Sequence, residues 1–89
     1  MNVFKNDSIS IYIYLFNRYC ATGYQPVIIT HKQIKEHIGI ATSTTSNNLI
    51  ITDTLEILQR LGLIKYRVFT EDNKSYMEFL WVKNSLPKD

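Results

Sequence analysis

The densest chemistry in this 89-residue sequence lies at Thr44, Thr45, Ser46, Asn47 and Asn48, an unbroken run of small polar side chains ahead of an apolar stretch. Side chains of this kind favour helix starts over helix interiors. At a helix N-terminus, hydroxyls and backbone N–H groups can hold a phosphate, and an Asn amide can bond the N6 and N7 edge of adenine with two hydrogen bonds. The same five residues can equally do no more than cap and lengthen a turn, and both readings stay open on the sequence. Lys32 and Lys35 on a predicted second helix, and Lys65 and Arg67 on a predicted hairpin, are suited to phosphate contacts. Lys74 shares the hairpin, but Glu71 and Asp72 close by repel phosphate, which favours Arg67. Solvated charged faces look the same in sequence.

Other reactive side chains do not assemble into a catalytic or metal-binding pattern. His31 and His37 are six residues apart and point to different sides of a helix, which makes a poor metal pair. Cys20 has nothing basic beside it in the chain to lower its thiol pKa, and as the single cysteine it cannot form an internal disulfide. Asp53 and Glu56 can share a helix face, yet a catalytic carboxylate pair needs a cleft that a domain of this size hardly forms. The expectation is a protein without catalytic residues, metal or cofactor.

Local signals give the elements that would position these residues. Asn6, Asp7 and Ser8 offer caps for a first helix over about 8–20, with Ile9, Tyr12, Ile13, Phe16 and Tyr19 on its inward face. Ile11, Tyr14 and Leu15 add apolar surface on its other sides, more than a small domain buries against itself. Tyr12, Tyr14 and Leu15 are therefore candidate contacts with a partner. The alternative is a rim of tyrosines with their hydroxyls in water. Thr22-Gly23 stops the helix, and Val27-Ile28-Ile29 reads as a short strand.

Thr30 and Gln33 have capping-box spacing, so a second helix is predicted over 31–38, ended by Gly39. Apolar residues then recur at helical spacing up to Leu61 and Gly62, giving a third helix over about 46–61. Strands over about 63–70 and 75–82 follow, joined by a tight turn in which Asn73 tolerates positive φ, and a tail over 83–89. On the last strand Met77, Phe79 and Trp81 alternate with Tyr76, Glu78 and Leu80. One face must pack on the helices, and Trp81 with Phe69 would mark a contact surface on an exposed face.

Ten Lys and Arg against eight Asp and Glu give a net charge of +2, far from the balance of a histone-like binder. With 45% hydrophobic residues the chain has enough apolar material for one core, taken as a single domain over 1–89. The lone cysteine fits a reducing, cytoplasmic setting, and the longest apolar run, Ile11 to Phe16, falls far short of the ~20 residues of a membrane span.

This order of elements is a mainly α, α+β arrangement in which three helices share a core closed by a hairpin, a winged helix-turn-helix. Thr30-His31-Lys32-Gln33-Ile34 and Ile38-Gly39-Ile40 resemble the helix-turn-helix of bacterial regulators and replication proteins. Leu55-Glu56-Ile57-Leu58-Gln59-Arg60-Leu61-Gly62-Leu63-Ile64 resembles their passage from third helix to wing. The resemblance runs from about Ser8 to Val82. It is greater to amino-terminal domains of phage and plasmid replisome-organiser or replication-initiator proteins than to compact antibiotic-resistance regulators. It implies sequence-specific binding of double-stranded DNA in replication initiation or transcription regulation, with the third helix in the major groove. The implied partners are duplex DNA, a second copy of the chain as homodimer, and replication proteins. Two features depart from the family: the stretch between Gly39 and Gly62 is long, and the start of the third helix has no Arg or Lys. The modest charge and the surplus apolar residues support the alternative of a winged helix used for protein contact or assembly without DNA.

Overall fold

The computed structural model describes residues 3–39 and 47–84. Its elements run α1 (Val3–Ala21), β1 (Val27–Ile29), α2 (His31–Ile38), α3 (Asn47–Arg60), β2 (Ile64–Glu71) and β3 (Lys74–Val82). The three strands form one antiparallel sheet in the order β1-β3-β2. Three helices and this sheet make a small α+β fold.

Local chemistry sets most of the boundaries. At the start of α2, the Thr30 hydroxyl accepts from the Gln33 N–H at 3.2 Å while the Gln33 side chain accepts from the Thr30 N–H at 3.0 Å. Gly39, with φ 78°, closes the other end, its N–H donating to the Lys35 carbonyl. Gly62 ends α3 in the same left-handed conformation, and the Leu63 N–H returns to the Leu58 carbonyl at 3.0 Å. Between β2 and β3, Asp72 and Asn73 have φ 52° and 63°, the pair of positive values a two-residue hairpin turn requires. The first helix begins earlier than its cap-like residues suggest. Asn6, Asp7 and Ser8 lie inside α1, where each carries only about 0.5 kcal/mol of helix penalty relative to Ala.

The core joins one side of each helix to one face of the sheet. Ile11, Tyr12 and Leu15 from α1, Ile34 from α2, and Ile51, Leu55 and Leu58 from α3 pack with Val27, Ile29, Ile64, Met77, Phe79 and Val82. The expected inward face of the first helix is thereby corrected. Ile11 and Leu15 are wholly buried, whereas Ile9 and Ile13 are 48% and 42% exposed. With apolar residues on every side, the helix had no unique apolar stripe to fix its rotation, and contact with α2 and β3 chose it. Tyr12 is also buried, its hydroxyl donating to the Lys83 carbonyl at the exit of β3. Tyr12 and Leu15 are therefore core residues rather than partner contacts.

A β-bulge corrects the alternation on β3. Lys65 pairs with Trp81, but the next residue, Tyr66, pairs with Phe79, so Leu80 is an extra residue on its strand. The packed face, which the alternation alone left undecided, is that of Met77 and Phe79; Val82 then takes the next inward place and Trp81 turns outward, 40% exposed. Residues directly opposite each other share a face, so Ile28, Lys65, Arg67, Phe69, Tyr76, Glu78 and Trp81 form the outer face of the sheet.

Candidate nucleic-acid interface

Of the residues singled out for phosphate contact, Lys32 and Lys35 stand on α2 and Lys65 and Arg67 on β2. On α2, Lys32 is exposed and available. Lys35 is not, because α2 turns Ile34 and Lys35 inward together and leaves only 4% of Lys35 accessible. Its aliphatic stem belongs to the interior and its charge cannot reach an external phosphate. That charge acts locally instead: burial first, and then the positive Lys35, lower the pKa of His31 from its ordinary 6.5.

Around the start of α3, Thr44, Thr45 and Ser46 lie outside the described residues, as does the side chain of Asn47. Asn48 is half-buried, and its Oδ1 is buried with no hydrogen-bond partner among the described residues. Leu49 and Ile50 follow, 66% and 38% exposed. The remaining outward side of α3 carries Asp53, Ile57, Arg60 and, beyond its end, Leu61, which is 67% exposed. Asp53, Glu56, Ile57 and Arg60 line a shallow open depression.

Glu56 and Gln59 have a structural task that spacing alone did not reveal. The Tyr66 hydroxyl donates to Glu56 Oε2 at 2.7 Å, and the Tyr66 N–H donates to Gln59 Oε1 at 3.0 Å. Two side chains one turn apart on α3 thus hold the outer edge of β2 against the helix. Burial, followed by the hydrogen bond and the negative charge of Glu56, pushes the Tyr66 hydroxyl well above its ordinary pKa and keeps it a donor.

Lys65 and Arg67 stand on the outer sheet face, whereas α3 packs against β2 from the helical side. They share no surface with α3. Arg67 is further engaged: its Nε donates to Glu78 Oε1 at 2.6 Å, and its guanidinium lies 5.1 Å from the centre of the Phe69 ring. Phe69 itself stacks on Tyr76 at 5.5 Å.

Tyr14 and His37 are occupied within the fold. Tyr14 stacks on His37 with ring centres 4.4 Å apart and accepts a hydrogen bond from Arg18 Nη1 at 2.8 Å. Cys20 is half-buried and free. Among the described residues no three His, Cys, Asp or Glu side chains gather where they could hold a metal ion. No described helix is long and apolar enough to cross a membrane. Comparison with family models, curated proteins and solved structures finds no match to this chain.

Proposed function

We propose that the chain is a winged helix-turn-helix module that binds double-stranded DNA, inserting the N-terminal end of α3 into the major groove. The observation that carries this reading is the succession of α1, β1, α2, α3 and the β2–β3 hairpin around one core, with the short β1 paired to β3. The order of helices and hairpin is the one the sequence resemblance implies. Helices of this motif contact base edges with their N-terminal residues, so the carboxylate of Asp53, further along α3, lies away from the bases. Thr44, Thr45, Ser46 and Asn47 are the assigned base and phosphate contacts and exposed Lys32 the backbone cation, whereas the buried Oδ1 of Asn48 is not open to a base.

One such module covers little groove surface, and specific readout then takes two copies on a two-fold or direct-repeat site in an origin or operator. With Tyr12 and Leu15 in the core, the second copy meets a surface other than those side chains. A labelled pool of duplexes tests the assignment by fluorescence anisotropy across a salt series. Lys32→Ala is expected to weaken binding to all sequences alike and to flatten the logarithmic salt slope by ~0.9, the share of one phosphate. An unchanged slope removes Lys32 from the interface.

A second reading, a winged helix used for protein contact, is favoured by one feature: the outward side of α3 carries Leu49, Ile50, Ile57 and Leu61. A stable oligomer in light scattering, combined with no affinity for duplex DNA at low salt, would select it.

A further inference from the structure

We infer that the outer face of the sheet is a binding platform for single-stranded DNA, with Trp81 as its stacking residue. The β-bulge at Leu80 turns Trp81 out of the core to an outer position opposite Lys65. Lys83 is exposed at the same end of the sheet, one residue past the inward-facing Val82, and its N–H still donates to the Leu63 carbonyl at 2.8 Å. Neither Lys65 nor Lys83 forms an ion pair among the described residues. Arg67 and Glu78 neutralise each other in the middle of the face, and at the turn Glu71 and Lys74 lie opposite each other with Asp72 beside them. The end of the face around Trp81 is therefore positive, and its surplus charge brackets the exposed indole.

An aromatic plane flanked by unpaired cations fits one ligand chemistry: a base that stacks, on a backbone of phosphates. Duplex DNA cannot use the indole in this way because its base faces are already covered by their neighbours. Four residue steps along β2 lead from Lys65, opposite Trp81, to Phe69, which stacks on Tyr76. At strand spacing this is about 13 Å, roughly the span of four stacked nucleotides. A strand bound by Trp81 thus runs over Ile28 and the Arg67–Glu78 pair toward the second aromatic pair. The choice of DNA over RNA rests on the duplex reading above, since a module seated on a DNA duplex meets DNA strands where that duplex opens. The platform itself uses neither Lys32 nor the start of α3.

Trp81 is the single tryptophan of the chain, so its fluorescence reports directly on this face. Titration of the whole protein with a twelve-residue oligo(dT) at low salt is expected to quench it. Dextran sulfate, a polyanion without bases, is expected to leave it nearly unchanged. With labelled oligo(dT), Trp81→Ala should weaken binding about ten-fold and Trp81→Phe less, and Lys65→Ala with Lys83→Ala should flatten the salt slope by ~0.7 for each phosphate no longer neutralised. Duplex affinity should be the same in all these variants, while Lys32→Ala should lower duplex binding alone. The platform is overturned by an absence of quenching, by equal quenching with dextran sulfate, or by unchanged oligo(dT) affinity in folded Trp81→Ala. Tighter binding of oligo(rU) than of oligo(dT) overturns the assignment to DNA. Quenching by oligo(dT) without any duplex binding would leave the platform standing and remove the α3 reading.

Discussion

The outward side of α3 and the outer face of the sheet both expose large apolar side chains, yet their charges are opposed. On α3, Ile50, Ile57 and Leu61 stand with Asp53 and Arg60, and Glu56 adds a second carboxylate close by. On the sheet, Trp81 stands with Lys65 and Lys83, while Glu78 on the same face is paired with Arg67. A polyanion is thus held off by one open surface and drawn to the other. Net charge alone, at +2, contains no trace of this division. On the proposed duplex reading, it restricts contact by α3 to the start of the helix and leaves the apolar, acidic remainder for other neighbours.

The largest expected effect separates the two sides of α3. Leu55, wholly buried, should cost about 2–5 kcal/mol on replacement by Ala, as cavity-forming core substitutions do. Ile57, 44% exposed two residues later, should cost less than about 1 kcal/mol. Urea unfolding of the two variants measures the contrast, and equal destabilisation would mean that the outward side of α3 is covered.

A smaller effect concerns charge alone. Asp53→Asn removes a carboxylate from exposed α3 and should strengthen duplex binding roughly two-fold at low salt, the gain fading as salt screens it. Oligo(dT) affinity should not respond. A matching gain for the single strand would erase the distinction between the two surfaces.

The smallest effect is the pH response of His31. Its pKa is lowered in the folded chain, so the unfolded chain takes up the proton more readily, and stability falls as pH drops below 6.5 toward the folded value. Thermal unfolding midpoints should therefore be lower at about pH 5.5 than at about pH 7.5, on either side of the ordinary His value, and His31→Asn should reduce the difference. An unaltered difference would place the pH response elsewhere in the molecule.

How much of this was legible depended on whether the deciding chemistry was local. Thr30 with Gln33, Gly39, Gly62 and Asn73 act on backbone groups within a few residues, and each marked its boundary in the sequence. The rotation of α1 was not legible, because Ile9, Ile11, Ile13 and Leu15 offer apolar surface all round and only contact with other elements chooses among them. Lys35 looked like one more cation on a polar side, but an eight-residue helix packed beside α1 and α3 buries the neighbour of Ile34 as well. Trp81 illustrates the same limit: the alternation of Met77, Phe79 and Trp81 runs on unbroken in sequence, while the bulge that interrupts it is a matter of pairing with Lys65 and Tyr66. Of the candidate interface, Thr44, Thr45 and Ser46 lie outside the described residues. The placing of Lys65 and Arg67 on the face of the sheet away from α3 required the third dimension.

The most direct test of duplex recognition is anisotropy of a labelled random-sequence duplex pool at low and near-physiological salt, followed by sequencing of the retained duplexes. Salt-sensitive binding with an enriched motif, repeated at the spacing of two modules, is the predicted result. No binding even at low salt would contradict it and turn the exposed aliphatic side of α3 into the leading candidate for a protein-binding surface.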